Sequence, residues 1–303
     1  MKKFALLIAF FSLSLLAANK QTVSSEQWTA QYKGEGKLSL YEGYTIVRAP
    51  IFTGLNFSHY EYIFTNKDDV NFLGEESKIA TFFIENSDEK AVLKIKPKKN
   101  VKIVTQFIQV IASNSNFKTV KILVKPDNVH YVFGVEEFSG VIIDGNVGKF
   151  INTAPTFANV FAFKNVGTFI SSSLEFTYLS FGQPDHVVSN AYTDYNGNTN
   201  NTIIIFSEGN VNKFIVKRGI NNSFILAGAD MITDAYTSDM AAIYSNYPPS
   251  GKIGLLKAKL ISSNGRYKSG WIPLTQIISS EIKKFKVKQD TIVGENKSVF
   301  IMK

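Results

Sequence analysis

The chain has 303 residues, 45% of them apolar and 19% charged, with 33 lysines and arginines against 25 acids for a formal charge of +8. That balance excludes a disordered chain and leaves enough apolar material for one large or two medium domains. The absence of cysteine removes disulfides, thiol catalysis, thiolate zinc sites and iron–sulfur chemistry.

Met1-Lys2-Lys3 precedes thirteen mostly apolar positions, 4–16, which run into the small residues Ala17-Ala18. This pattern is that of a cleaved secretory leader spanning 1–18, because a membrane anchor needs about 20 apolar residues. No later run is long and apolar enough to span a bilayer. The mature chain is therefore expected to begin near Asn19, to be secreted and extracellular, and to carry no stable membrane anchor. Four N-x-[ST] acceptors, at Asn56, Asn200, Asn221 and Asn296, are expected glycosylation sites on surface loops.

Beyond the leader, β-like runs alternate with turn residues. Runs at 37–41 and 44–47 flank Gly43, and others follow at 59–64, 79–84, 91–95, 101–111 and 120–124. Lys125-Pro126-Asp127-Asn128 interrupts the pattern and is the expected boundary between a first domain, 19–126, and a second, 127–303. Asp144-Gly145, between 141–143 and 147–151, reads as a primed hairpin turn, and Asn196-Gly197 and Asn264-Gly265 repeat the device. The aromatic centre of the chain is a pair of runs, 160–164 and 169–181, with a break at Asn165-Val166-Gly167. Phe161 and Phe163 alternate with Val160, Ala162 and Lys164, while Leu174, Phe176 and Tyr178 oppose Glu175 and Thr177. This parity buries the rings under a second layer and leaves Thr177 wet. Further runs lie at 202–206, 213–216, 224–227, 253–261 and 284–287, and 235–244 is the one helix candidate. No repeat of fixed period is visible. The spacing of turn signals is that of a sandwich or barrel, so the expected fold is all-β, two β-sandwich (jelly-roll/CUB-like) domains.

Motifs of known chemistry are missing. His59, His130 and His186 are the only histidines and none stands at metal-ligand spacing; nucleophile-elbow, phosphate-loop and dinucleotide signatures are absent. The stretch Asp194-Tyr195-Asn196-Gly197-Asn198 has its glycine in the wrong place for a calcium loop and Ile205 where a bidentate acid belongs, so it reads as a turn. Asp68-Asp69, Glu75-Glu76 and Glu136-Glu137 are neighbours that a strand would point to opposite faces, unlike the facing acids of a glycosidase. No catalytic residue, cofactor or metal is therefore expected. Trp28, Tyr192, Tyr195 and Trp271 read either as platforms for sugars or as core. Two lysine clusters, Lys94, Lys96, Lys98, Lys99 and Lys102, then Lys284, Lys286 and Lys288, read either as a surface for an anionic partner such as an acidic glycan or lipid, or as solvated sheet edges.

The leader, the β-rich block up to about Val124, Asp144-Gly145 after a β-run, the stretch Ser171-Ser172-Ser173-Leu174-Glu175-Phe176-Thr177-Tyr178 and the β-like end, 281–301, resemble in overall plan the nematode secreted proteins that carry a CUB-like domain. The resemblance implies a jelly-roll-like sandwich, an extracellular setting and a link to innate defence, with no catalytic residue to carry over. The expected function is that of a secreted, non-catalytic binding protein for a glycan or an extracellular protein, with no nucleic acid as partner. A secreted glycan-active hydrolase and an extracellular coat protein are the alternatives.

Overall fold

A computed structural model describes residues 19–48, 61–65, 79–102, 104, 106–124, 140–154, 156, 160–175, 177–194, 196–232, 237–263, 275–288, 290, 292–294 and 299–302. The strands are β1 (Asn19–Ser24), β2 (Trp28–Gly34), β3 (Lys37–Arg48), β4 (Glu61–Thr65), β5 (Ile79–Glu85), β6 (Val92–Pro97), β7 (Phe107–Ser113), β8 (Phe117–Ile122), β9 (Gly140–Asn152), β10 (Val160–Ser171), β11 (Leu174–Glu175), β12 (Tyr178–Phe181), β13 (Gln183–Ser189), β14 (Thr202–Ser207), β15 (Val211–Asn221) and β16 (Phe224–Ala227). One helix, α1 (Thr237–Asn246), precedes β17 (Lys252–Ser263), β18 (Thr275–Ile278), β19 (Glu281–Lys286), β20 (Ile292–Gly294) and β21 (Val299–Met302).

The all-β expectation holds, but the strands do not pair as a jelly roll does. From β5 onward every pairing among the described residues except β13–β14 is parallel. The strands stack in three ladders. Ladder A runs β6, β8, the second half of β9, the second half of β10, then β15, β17 and β19. Ladder B runs β5, β7, the first halves of β9 and β10, then β12, β16, β18 and β21. Ladder C joins β11 and the ends of β15 and β17 to β20. The chain thus winds from B to A to C and back, one coil upon another, as a parallel β-solenoid. At its first end β1, β2 and β3 add antiparallel strands, β2 on β6 and β3 on β5. Trp28, fully buried there, donates its indole N–H to Gln106 O at 2.9 Å, so it is core and not a sugar platform.

In-register parallel pairing sets each side chain on its counterpart in the next coil. The inward row of ladder A reads Tyr32, Leu93, Val120, Phe150, Phe169, Phe214, Leu256, Phe285. Phe150 and Phe169 stack with centroids 5.1 Å apart and planes 17° apart, and Phe169 and Phe214 repeat this at 5.1 Å and 18°. From ladder B, Phe161, Phe163 and Phe181 meet the same column, Phe161 and Phe163 pointing inward as their parity requires. Ring pairs of this kind add about 0.5–1.5 kcal/mol each beyond the apolar area they bury.

The corners are laddered too. Between B and A, Asn116 Oδ1 accepts Asn146 N–H at 2.8 Å, Asn165 Nδ2 donates to Asn146 Oδ1 at 3.0 Å, and Asn165 Oδ1 accepts Asn210 N–H at 2.8 Å. Between C and B, the buried hydroxyls of Thr156, Thr177, Ser223 and Thr275 form a second column, with Thr177 N–H donated to Ser223 Oγ at 3.1 Å. Thr177, expected wet, is fully buried because it closes this corner; Phe176 lies outside the described residues. Expected breaks at Gly43 and Asp144-Gly145 fall inside single strands, β3 and β9, and Gly167 lies inside β10. A Cβ at Gly167 would stand 2.5 Å from Gly148 O of the coil beneath, so glycine serves close approach there. The expected boundary at Lys125-Pro126-Asp127-Asn128 lies outside the described residues; β8 before it and β9 after it are paired neighbours.

Two insertions at the corner between ladders B and A, the β13–β14 hairpin and α1, cover part of the outer face of ladder B. Tyr178, Leu226 and Ile278 of that face pack with Ile203 of the hairpin and with Met240, Ile243 and Tyr244, which make one stripe on α1. Asp230 fastens the cover: its carboxylate accepts Ile204 N–H and Met231 N–H, each at 2.8 Å, and Tyr244 Oη donates to its carbonyl at 3.0 Å. Burial pushes the Asp230 carboxyl up to about 6, against the pull of the two amide donors. The same burial, with the Asp230 charge nearby, raises the Tyr178 and Tyr244 hydroxyls.

Two predictions follow from this packing. Phe169→Ala should cost roughly 3–5 kcal/mol and Thr168→Ala, on the outward parity, well under 1 kcal/mol, read as denaturant midpoints; equal midpoints would refute the stacked core. Asp230 holds its proton more tightly folded than unfolded, so its contribution to stability is fully present below its unfolded value of about 4 and lost as pH rises through about 6. Melting across that window should show a loss of roughly 2–3 kcal/mol that Asp230→Asn flattens; a wild-type curve already flat would sink the assignment.

Candidate basic trough on the solenoid face

Side chains of ladder A alternate between the phenylalanine column and solvent, so the outward positions also form register rows. One row reads Gln31, Lys94, Lys121, Ile151, Ile170, Ile215, Lys257, Lys286. Beside it Thr119, Lys149, Thr168, Lys213, Leu255 and Lys284 align in the same manner. Strand pairing sets successive members about 4.8 Å apart along the solenoid axis. Lysines from six strands therefore share one side of the molecule.

At the edge of this face, toward ladder C, lies an open pocket of about 780 Å³. Lys94, Lys96, Lys98 and Lys99 line one end and Lys217 and Arg218 the other, with Leu123, Val124, Thr153 and Ser172 along the floor. Thr153 and Ser172 are fixed by the solenoid itself: Thr153 Oγ1 donates to Val124 O at 2.8 Å, Ser172 Oγ to Thr153 O at 2.7 Å, and Arg218 N–H to Ser172 O at 2.9 Å. Among the described residues none of the six cations is in an ion pair. Two lysine–carboxylate pairs among the described residues, Lys164–Glu208 at 3.4 Å and Lys252–Glu281 at 3.5 Å, sit at the opposite edge of the ladder. Uncompensated charge over a semi-apolar floor attracts anions, and the attraction weakens with salt.

Sequence reading found Lys94–Lys99 and Lys284–Lys288 as separate runs. It missed Lys217 and Arg218, which carry no local signal and join the first cluster only because β15 stacks on β10. Lys102 is exposed but does not line the pocket. Among the described residues the other sequence candidates do not converge. His186 is exposed and pairs with Asp185 at 3.2 Å, while His59 and His130 lie outside the described residues, as do all three carboxylate pairs, Tyr195 and Trp271. Tyr192 is half-buried beside the α1 cluster. Asp194 accepts the Asn198 side-chain amide at 3.0 Å and Asn198 N–H and Asn196 N–H, both at 2.9 Å, and Gly197 takes φ +83°, the geometry of a capped turn; these donors, the Asn198 side chain foremost, hold the Asp194 carboxyl below its usual range. Among the described residues no group of three or more His, Cys, Asp or Glu side chains is placed to hold a metal ion. Of the four sequons, Asn200 is exposed; Asn221 sits at the corner between ladders C and B, with its amide facing Glu175 and its Oδ1 accepting from Ser262 Oγ at 3.0 Å; Asn56 and Asn296 lie outside the described residues.

The chain matches no family model, no curated protein and no solved structure.

Proposed function

We propose that the chain is a secreted, non-catalytic binding protein that recognises anionic glycans at the extracellular surface through the basic side of ladder A. The observation that carries this reading is the trough: six cations, in no ion pair among the described residues, brought from two stretches far apart in sequence and set over fixed hydroxyls. Rigid positioning lowers the entropy lost on binding, which suits a recognition surface. Export rests on the leader-like 1–18 stretch, which precedes the mature start expected near Asn19. A glycan is the anionic partner suited to that compartment, and a role in innate defence is the setting such recognition would serve. Of the two sequons described, exposed Asn200 suits glycosylation, whereas Asn221 would have to break its corner contacts.

Lys217→Glu with Arg218→Glu, both exposed, should weaken retention on a sulfated polysaccharide matrix by about tenfold or more and leave the melting temperature almost unchanged. Retention that is insensitive to salt and to this double variant would refute the trough as the binding surface. Amino-terminal sequencing of exported material should read from near Asn19, and a sequence starting at Met1 would refute the cleaved leader.

A further inference from the structure

The trough is not the only cationic ground on this side of the molecule. In the outward row of ladder A, Lys94 and Lys121 stand at one end and Lys257 and Lys286 at the other, with Ile151, Ile170 and Ile215 in register between them. All three isoleucines are half-buried and face outward, opposite in parity to Phe150, Phe169 and Phe214. Four strand steps separate Lys121 from Lys257, about 19 Å at ~4.8 Å per step. The first pair adjoins Lys96, Lys98 and Lys99 at one end of the trough; the second begins one strand step beyond β15, which carries Lys213 of the neighbouring row and, at the other end of the trough, Lys217 and Arg218, and β19 adds Lys284.

Two cationic fields bridged by an apolar row, with Lys149 alone beside it between them, are a poor fit to a single small anion, which either field would satisfy alone. They fit a linear chain with an anionic group at intervals and apolar C–H faces between. Resting on the reading of the trough as a binding surface, we infer that the ligand is a linear polyanionic polysaccharide, bearing carboxylate or sulfate groups, laid along the solenoid axis. Its charged groups meet the lysines at both ends, and its ring faces cross Ile151, Ile170 and Ile215. A chain that reaches both fields gains the second contact intramolecularly, at high effective concentration. A chain too short to reach engages only one. An axial course also explains why the strip and the fields lie in one register row: a ligand wound around a single coil would meet one residue of that row only.

The test measures binding of the full chain to chondroitin sulfate fragments of graded length, from the disaccharide upward, with dextran as neutral control. Affinity should climb on the order of tenfold to a hundredfold once the fragment exceeds about 19 Å, then level off. Lys257→Glu with Lys286→Glu should abolish that climb while leaving disaccharide binding unchanged. Lys217→Glu with Arg218→Glu, at the second field, should blunt the climb as well, whereas Lys96→Glu with Lys98→Glu, at the first, should weaken short and long fragments alike. Short and long fragments binding equally, with salt-sensitive binding retained, would overturn the axial two-field mode and leave the trough standing. No binding to any fragment would overturn both. Tighter binding to single-stranded DNA or to anionic vesicles than to a saccharide of equal charge would overturn the assignment of a polysaccharide.

Discussion

Parallel, in-register pairing governs the rest of this molecule. When each strand lies on its counterpart in the next coil, every residue is stacked on its own position, so the same environment recurs at each level and the same chemistry must satisfy it repeatedly. Inside, that requirement is met by Phe150, Phe169 and Phe214, whose rings overlap face to face at 5.1 Å. At one corner it is met by asparagines, which can both donate to and accept from the coils above and below, and at another by hydroxyls. A hydrophobic residue at Asn116 or Asn165 would leave backbone N–H groups of the next turn without acceptors. Stacked amides and stacked rings are the usual adornments of in-register parallel sheets for this reason.

The same constraint explains what could and could not be read from the sequence. Individual strands were legible because alternation is local: the run read at 224–227 is β16, Phe161 and Phe163 point inward, and the helix candidate at 235–244 becomes α1. The stacking was not legible, because equivalent positions do not recur at a constant interval. Phe150, Phe169, Phe214, Leu256 and Phe285 share a row yet are separated by 19, 45, 42 and 29 residues. The hairpin and α1 account for the long intervals, and they erase the period that would mark a repeat protein. Glycine was misleading for a related reason. In a solenoid the chain turns corners within a strand, so Gly145 and Gly167 are points of bending or close approach instead of hairpin turns. Thr177 was misjudged because polarity on a strand usually signals solvent, whereas a laddered corner buries hydroxyls with partners.

Recognition surfaces are legible to a different degree. A run such as Lys94 to Lys99 announces itself, but its meaning depends on what is stacked beside it. Lys217 lies far along the chain from Lys99 and shares a pocket with it, since β8, β9 and β10 bridge β6 to β15. Only the register converts scattered lysines into a surface with a direction, a spacing and two ends.

The two broad outer faces of the stack then take different fates by composition. The outward row of ladder B reads Phe83, Ile111, Ile142, Ala162, Ser180, Leu226, Ile278, Met302, which water would not tolerate uncovered, and the insertions at the corner between ladders B and A fold back over part of it. Ladder A carries lysines at half of the outward positions in its two rows, so it resists cover: burying those ammonium groups under a hairpin would cost far more than the few isoleucines between them could return. The two insertions leave the chain at the corner shared by the ladders and could have folded either way. Charge on one side and apolar residues on the other decide the direction, which is why, among the described residues, one face is padded and the other is open and basic.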